Sequence, residues 1–482
     1  MRIQIVKRMK PFLSIIRITL LISSIALFAQ SALAQQQAIL ASADRQILSK
    51  ASMTEQSGWI ELSITGTPRD RGFQHGYLLA RQIDDALRAR RVIWEHVSAM
   101  PWPWLVRQVS ERFTPKVDTE NRQEIEGIVA GMTAAGQNAT LDEMVAYNMF
   151  LELLWYWWPN EQKKVGTSAP LPQKQSCSAF IATGSMTADG GIVMGHNTML
   201  EFTMADANVV LTIVPARGNT IVMQTFPGWI HSGTDFFLTS RGLIGAETTI
   251  GGFDAFDESG IPEFIRLRRA IQDAASIDEW CEIMKKGNNG GYANSWLIGD
   301  INTNEIARLE LGLKFVNLER TKDGFYTGSN IATDKRILRF ETTRDETDIR
   351  LSSVARRERW KQLMKEYRGR ITVETAKSFE ADHYDTYLRR EAPSGRVLCG
   401  HFEADTLTFG SYVPFYPEGS FDAKVVDTKL GREMRFWARW GRACGEPFDA
   451  KRFLTEHPQF DWMQDILKSR GSYPWVVVGG KE

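Results

Sequence analysis

The sequence predicts an α+β fold with layered antiparallel sheets, and three observations lead there. From residue 175 onward, short apolar or β-branched runs recur in pairs across turns carrying Asp-Gly, Arg-Gly-Asn or Asn-rich tetrapeptides, the signature of consecutive hairpins. Long segments with a 3.6-residue apolar period precede these hairpins and return after them. No internal repeat or low-complexity tract interrupts either pattern, so helices and hairpins share a layered core rather than a solenoid.

In chain order, Arg2, Lys7, Arg8 and Lys10 precede an apolar run, Thr19 to Ala29, and then Ser31-Ala32-Leu33-Ala34. This is the pattern of a secretory signal peptide over 1–34 with an Ala-x-Ala cleavage site, giving a secreted or periplasmic protein. Arg17 shortens the run below the roughly 20 residues that cross a bilayer, and no other segment is long and uncharged enough to do so. Of the 482 residues, 43% are apolar and 24% charged, enough for a substantial core. The formal net charge is zero and no basic block tracks phosphates, which argues against a nucleic-acid partner.

Trp59 to Ile64 reads as a strand, Gly66 to Gly72 as a loop, and His75 to about Val97 as a helix whose apolar face is Leu78, Leu79, Ile83, Leu87 and Ile93. Trp102 and Trp104, between prolines, read as a rigid aromatic corner. Asn121 to Gln137 and Leu141 to Trp155 form a helical hairpin, the second helix opened by a Thr140/Glu143 capping box. Asn138-Ala139-Thr140 is also a glycosylation sequon, which a capping loop explains equally well. Leu153 to Trp158 is a dense aromatic cluster suited to core packing or to lining an acyl pocket.

Strand pairs follow at Val209 to Val214 with Thr220 to Thr225, Phe236 to Ser240 with Leu243 to Thr249, and Ser295 to Gly299 with Ile306 to Leu311. The turn at Asp300 to Asn304 has calcium-loop spacing, but Glu305 and Leu311 stand where glycine and glutamate are required. Helices are expected at Glu263 to Ala275, Ile277 to Lys286, Ser352 to Tyr367, Val373 to Phe379 and Pro458 to Ser469.

The stretch with chemical promise is the hairpin Gln175 to Thr183 and Ile192 to Thr198. Cys177 opens its first strand, directly after Glu161 to Gln175, a polar segment with three lysines and two prolines that suits neither helix nor central strand. A thiol heading a strand is either a small buried hydrophobe or a nucleophile exposed by self-cleavage, its freed α-amine then serving as base. Metalloprotease, Cys-x-x-Cys, P-loop, dinucleotide and Gly-x-Ser-x-Gly motifs are all missing, and no Cys-Gly-Ser-Cys-Trp surrounds Cys177, so no cofactor is expected and thiol chemistry remains. Of the other cysteines, Cys399 with Cys444 is the preferred pair, and Cys281 reads as a buried free thiol in a helix.

Cys177-Ser178-Ala179, Gly195-His196-Asn197-Thr198, Pro227-Gly228 through Thr234-Asp235-Phe236-Phe237 to Glu247-Thr248-Thr249, Asn288 to Asp300 and Gly419 to Val425 occur in one order. In that order they resemble the phospholipase B-like family, amino-terminal-nucleophile hydrolases related to acyltransferases of the penicillin acyltransferase type. Arg71 to Gly76 resembles the early helix entry of those acyltransferases, while Met199 stands where the family has tryptophan.

The resemblance implies a four-layer αββα sandwich with two antiparallel sheets. It also implies autocleavage between Ser176 and Cys177, with 35–176 as an N-terminal helical segment and 177–482 as the nucleophile-bearing part, the two remaining associated. Cys177 is then the nucleophile, Asn294 an oxyanion donor, His196 an orienting or substrate-contacting residue and Thr248 a further site residue. The implied substrate is a phospholipid or another acyl-bearing small molecule. An amidase or acyltransferase acting on N-acyl compounds or peptides, and a non-catalytic lipid-binding protein, are the alternatives.

Overall fold

The computed structural model describes residues 41–164, 177–343, 345–407 and 414–480. The expected signal peptide, Ser176 and most of the 161–175 linker lie outside the described residues. A short helix, Ser42–Leu48, has no buried residue and belongs to an N-terminal unit ending at Lys50. The second unit, from Ala51 on, carries the mixed α+β architecture.

Its two main sheets are built from β1 (Ser52–Gln56), β2 (Trp59–Gly66), β3 (Ser178–Thr183), β4 (Val193–Asn197), β5 (Val209–Pro215), β6 (Ile221–Thr225), β7 (Phe236–Thr239) and β8 (Leu243–Thr249). They continue with β9 (Asn294–Asp300), β10 (Glu305–Leu311), β11 (Val316–Thr321), β12 (Gly324–Gly328), β13 (Asp422–Asp427), β14 (Arg435–Trp440) and β15 (Val476–Gly479). The nine-stranded sheet runs β1-β2-β5-β6-β7-β8-β9-β10-β11, and the six-stranded sheet β12-β3-β4-β13-β14-β15. The expected hairpins are present, the Asp300 turn among them, since Asp300 pairs with Glu305 across β9 and β10. One ladder departs from the antiparallel expectation: β2 pairs with β5 in parallel, because the helical region and the β3–β4 hairpin intervene before the chain returns beside β2.

Ile181, Met194 and Phe436 of the smaller sheet share one core with Phe236, Ile244 and Leu297 of the larger, and the rings of Phe236 and Phe436 lie 4.9 Å apart. The opposite face of the smaller sheet also packs: Phe180, Val193 and Val425 meet Trp360 and Phe379. Every residue of β3 is therefore buried, which is why the stretch after Cys177 is apolar without alternation.

The helices that matter for the site are α1 (Pro68–Leu78), α2 (Ala80–Ser98), α3 (Trp102–Arg112), α4 (Thr119–Ala134), α5 (Leu141–Asn148), α6 (Glu263–Asp273), α7 (Ile277–Lys285), α8 (Ser352–Glu366) and α9 (Val373–Glu380). α1 starts seven residues before the expected His75, because Thr67 caps it by accepting from Asp70 N and Pro68 fits the first turn. The aromatic corner at Trp102 is likewise the first turn of α3, which tolerates Pro103 there. Thr140 caps α5, but the Glu143 carboxylate turns to Arg91 and Trp102 Nε1 instead of closing a box. The expected C-terminal helix at 458–469 is only a 3-10 turn over Pro458–Met463.

α1 and α4 touch backbone to backbone. A Cβ on Gly76 would lie 2.0 Å from the Ile128 carbonyl oxygen, and one on Gly131 would lie 2.3 Å from that of Phe73, so glycine at both spacings permits the crossing. Around it Arg71 pairs with Glu124 at 2.6 Å and Arg268 with Glu124 at 3.0 Å, all three side chains buried. His75 Nε2 accepts the Gly228 N–H at 2.9 Å, and burial holds its imidazole neutral, down at about 3.

Candidate active site

Sheet register brings the candidate residues to one end of both sheets. Ser178 lies opposite Asn197, Ala179 opposite both His196 and Gly328, Lys424 opposite His196, and Thr249 opposite Asn294. The start of β3 thus meets the ends of β4, β8 and β12 and the starts of β9 and β13.

Cys177, one residue before β3, is 1% exposed and has φ +80°, a left-handed conformation that costs an L-residue about 1–2 kcal/mol. Its carbonyl oxygen accepts from Arg356 Nη1 at 2.6 Å, while Arg356 Nη2 donates to Asn330 Oδ1 at 2.6 Å and Asn330 Nδ2 to the Thr249 carbonyl at 2.9 Å. A buried guanidinium from α8 therefore fixes the strained residue and ties it to the end of β8. The thiol receives the Met199 backbone N–H, yet burial first, and then the negative charges of Glu247 and Asp235, push it well above its ordinary value. Here it is held as a protonated thiol.

Asn294 at the start of β9 is fully buried, and neither its Nδ2 nor its Oδ1 has a hydrogen-bond partner among the described residues. The Thr248 hydroxyl is buried and likewise without a partner among the described residues, and it faces β12, where a Cβ on Gly328 would come within 2.4 Å of its Oγ1. An unmet buried polar atom costs about 1–3 kcal/mol, so two such residues at one end of the sheets mark a place kept for something polar. His196 hydrogen-bonds the Glu247 carbonyl through Nε2 at 3.1 Å, and its Nδ1 has no partner among the described residues; burial and Lys424 push it well below its ordinary value, so it is neutral.

Several groups here were not assigned a role from sequence. Lys424 Nζ lies 2.7 Å from Asp422 Oδ1 and 2.6 Å from Thr198 Oγ1, fully buried, and Asp422 Oδ2 accepts from Gln224 at 2.6 Å. Asp235 and Glu247 form a hydrogen-bonded carboxyl pair, with Tyr292 donating to Asp235 at 2.9 Å. Burial raises Asp235 to about 6, while burial and Asp235 raise Glu247 well above the usual carboxylate range, so the pair carries one charge near neutrality. A charged residue inside an apolar strand, as in Asp422-Ala423-Lys424-Val425, is the signal that marks such groups. Arg356 has none, for it sits in an arginine-rich helix that resembles a solvated face.

A cavity lined by Glu152, Trp229, His231, Asp235, Glu263 and Tyr292 among others lies against the acidic pair, with about 10 Å³ free, the room of roughly one water. An acyl chain does not fit there as the chain stands. Of the Leu153 to Trp158 cluster, Trp155 reaches this region by stacking on Tyr292, whereas Trp157 and Trp158 pack on Trp104 in the core. The preferred Cys399–Cys444 pair consists of two free thiols, gathered with His383 and His401, and Cys281 is a buried free thiol as expected. No helix among the described residues is long and apolar enough to cross a membrane.

Residues 110–317 match the family model described as Phospholipase B. The chain is 27% identical over 227 residues to "Phospholipase B-like protein C" of Dictyostelium discoideum, covering 42% of this chain and 37% of that protein. It is 35% identical over 89 residues to "Putative phospholipase B-like 2" of Mus musculus, 17% of this chain and 15% of the mouse protein. It is 24% identical over 331 residues to "Putative phospholipase B-like 1" of Caenorhabditis elegans, 61% of this chain and 56% of the relative. The matched stretches thus span less than two thirds of these relatives.

Proposed function

Because this chain belongs with the phospholipase B-like proteins, we propose that it is a secreted or periplasmic hydrolase that cuts itself between Ser176 and Cys177 and then removes acyl groups from a lipid ester or amide. The observation that carries this reading is Cys177 itself: a buried thiol held in left-handed backbone by Arg356, at the strand ends where Asn294 and Thr248 keep unpartnered polar atoms.

In the first step the Cys177 sulfur adds to the Ser176 carbonyl carbon, the Ser176–Cys177 C–N bond breaks, and the thiol proton passes to the leaving nitrogen, which becomes the Cys177 α-amine. Water then hydrolyses the thioester, giving a Ser176 carboxylate and a free thiol. An α-amine titrates at about 7.7–8.0 in its unperturbed state, close to what a general base requires. In later cycles the sulfur attacks the substrate carbonyl, Asn294 Nδ2 donates to the oxyanion, His196 orients the substrate, Thr248 lines the site, and water releases the acyl group.

The two facing sheets, with α8 and α9 on the smaller and α7 on the larger through Trp280 and Trp296, fit the four-layer αββα arrangement. Segments 35–176 and 177–482 stay together after cleavage on this reading. Contacts between the two support it: the β2–β5 ladder, Tyr147 Oη donating to the Pro227 carbonyl at 2.9 Å, and Glu263 N donating to Glu152 at 2.9 Å.

Intact-mass measurement of purified protein tests the proposal: two fragments are expected, the second beginning at Cys177, and Cys177→Ala gives one uncut chain without hydrolytic activity. An uncut wild-type chain that hydrolyses acyl substrates at full rate refutes it. Matched ester and amide substrates separate lipase from amidase, and a thiol probe that labels Cys177 without any turnover favours a lipid-binding protein.

A further inference from the structure

We propose that His383, Cys399, His401 and Cys444 hold a structural zinc ion, a site independent of the chemistry assigned to Cys177. The ligand atoms of these four side chains all lie within 4.8 Å of one another. His401 Nε2 is 3.1 Å from His383 Nε2 and 3.7 Å from Cys444 Sγ. A tetrahedral zinc with two nitrogens at about 2.0–2.1 Å and two sulfurs at about 2.3 Å has ligand–ligand edges of roughly 3.3–3.8 Å. The cluster already has nearly the size of that cage.

The surroundings suit a metal more than a chance meeting of side chains. His401 Nδ1 sits 3.0 Å from Glu403 Oε1, and Glu403 is itself paired with Arg442 at 2.8 Å, so Nδ1 carries the proton it donates to the carboxylate. The Nε2 lone pair is then directed into the cluster, the carboxylate–histidine–metal arrangement that fixes a ligand's tautomer. Two thiols with two imidazoles favour a thiophilic d¹⁰ ion over calcium or magnesium. Four protein ligands leave no open position, so the ion braces the fold.

What it braces lies behind the nucleophile. The segment bearing Cys399 and His401 accepts Asn197 Nδ2 at the Leu398 carbonyl, at 3.0 Å, and Gly400 lies so close to Met199 that a Cβ would be 2.7 Å from its sulfur. Met199 N in turn bonds the Cys177 thiol. Cys444 comes from the loop after β14, so the ion would join that loop to the 381–404 segment. The motif was invisible in sequence because its ligands run from 383 to 444 with no paired Cys-x-x-Cys. The competing chemistry is a Cys399–Cys444 disulfide, which uses neither histidine.

The purified chain, in both wild-type and Cys177→Ala form, is incubated with excess zinc chloride, desalted and analysed for metal by mass spectrometry. About one zinc per chain is expected in both forms, falling severalfold or more in His383→Ala and in Cys444→Ser. His383 is only partly buried, so His383→Ala tests ligation with the fold kept, as circular dichroism checks. Cobalt loading is expected to give a thiolate-to-metal charge-transfer band that weakens in His383→Ala. Absence of retained zinc in the wild type, zinc content unchanged in both variants, or a non-reducing peptide map joining Cys399 to Cys444 overturns the proposal. Loss of self-cleavage in Cys177→Ala leaves this readout untouched, so the two proposals fail separately.

Discussion

Replacing Arg356 with methionine keeps the length of a fully buried side chain and removes the donors to the Cys177 carbonyl and to Asn330 Oδ1, each at 2.6 Å. Each abandoned buried acceptor costs about 1–3 kcal/mol, so the fold should lose about 2–6 kcal/mol. Freed of its clamp, Cys177 also regains the 1–2 kcal/mol or so held in its positive φ by relaxing to ordinary backbone, which moves the sulfur from its attack position. Misplacement worth about 1.4 kcal/mol or more in the barrier slows cleavage at least tenfold. Stability is best read by urea unfolding in a Cys177→Ala background, where both chains are uncut, and cleavage by intact mass over time after refolding. Arg356→Lys retains the charge with fewer, differently directed donors, and is expected to fold better than the methionine variant yet still cut slowly. A folded Arg356→Met chain that cuts at the wild-type rate and loses less than about 1 kcal/mol would show that the clamp neither holds nor positions the nucleophile.

Two further perturbations separate site from scaffold. Asn294→Leu removes two buried polar atoms that have no partner, so urea midpoints should hold or rise, while acyl turnover should fall about 10²–10³-fold; unchanged turnover removes Asn294 from the oxyanion site. Burial raises Glu201 to about 7 from an ordinary carboxylate value of 4.5. The folded state therefore keeps a proton that the unfolded state gives up, and this contribution is full below about 4.5 and lost as pH rises towards 7. Glu201→Gln should gain stability relative to wild type by on the order of 1.4 kcal/mol per pH unit across that window and level off above it, and a pH-independent difference refutes the assignment.

The hairpins were legible because period-2 runs and turn residues are local properties, and β7–β8 and β9–β10 lie where the sequence puts them. The parallel β2–β5 ladder was not, since a pairing between strands so far apart in the chain leaves no local trace. The early start of α1 was missed because Gly66 to Gly72 read as a loop, whereas Gly72, like Gly76, serves the α1–α4 crossing and is tolerated in a helix that packs this closely. At the site, Cys177 and Asn294 stood out by resemblance rather than by pattern. The groups that set their electrostatics, Lys424 with Asp422 and Asp235 with Glu247, are charges inside apolar runs, and their partnership depends on tertiary pairing. Arg356 is the limiting case: its burial and its bonds to the Cys177 carbonyl and Asn330 distinguish it from the half-buried Arg357 and Arg359 beside it in α8, and neither is written in the local sequence.

Charge balance gives the self-cutting reading its sharpest consequence. Around Cys177 the Lys424–Asp422 ion pair carries no net charge, and the single charge of the Asp235–Glu247 pair acts on the thiol. A thiolate formed in the uncut chain would be one negative charge too many in a buried place, consistent with a thiol held well above its ordinary value. Cleavage places an amine on the same residue, and a proton moving from sulfur to nitrogen then makes a thiolate–ammonium pair without changing the net charge. Iodoacetamide at pH 8 should therefore alkylate Cys177 readily in processed protein and at least tenfold more slowly in folded wild-type chain that intact mass shows has not yet cut, with labelling mapped by peptide mass. Equal rates in the two forms would mean that the new amine does not activate the sulfur and that the base lies elsewhere in the site.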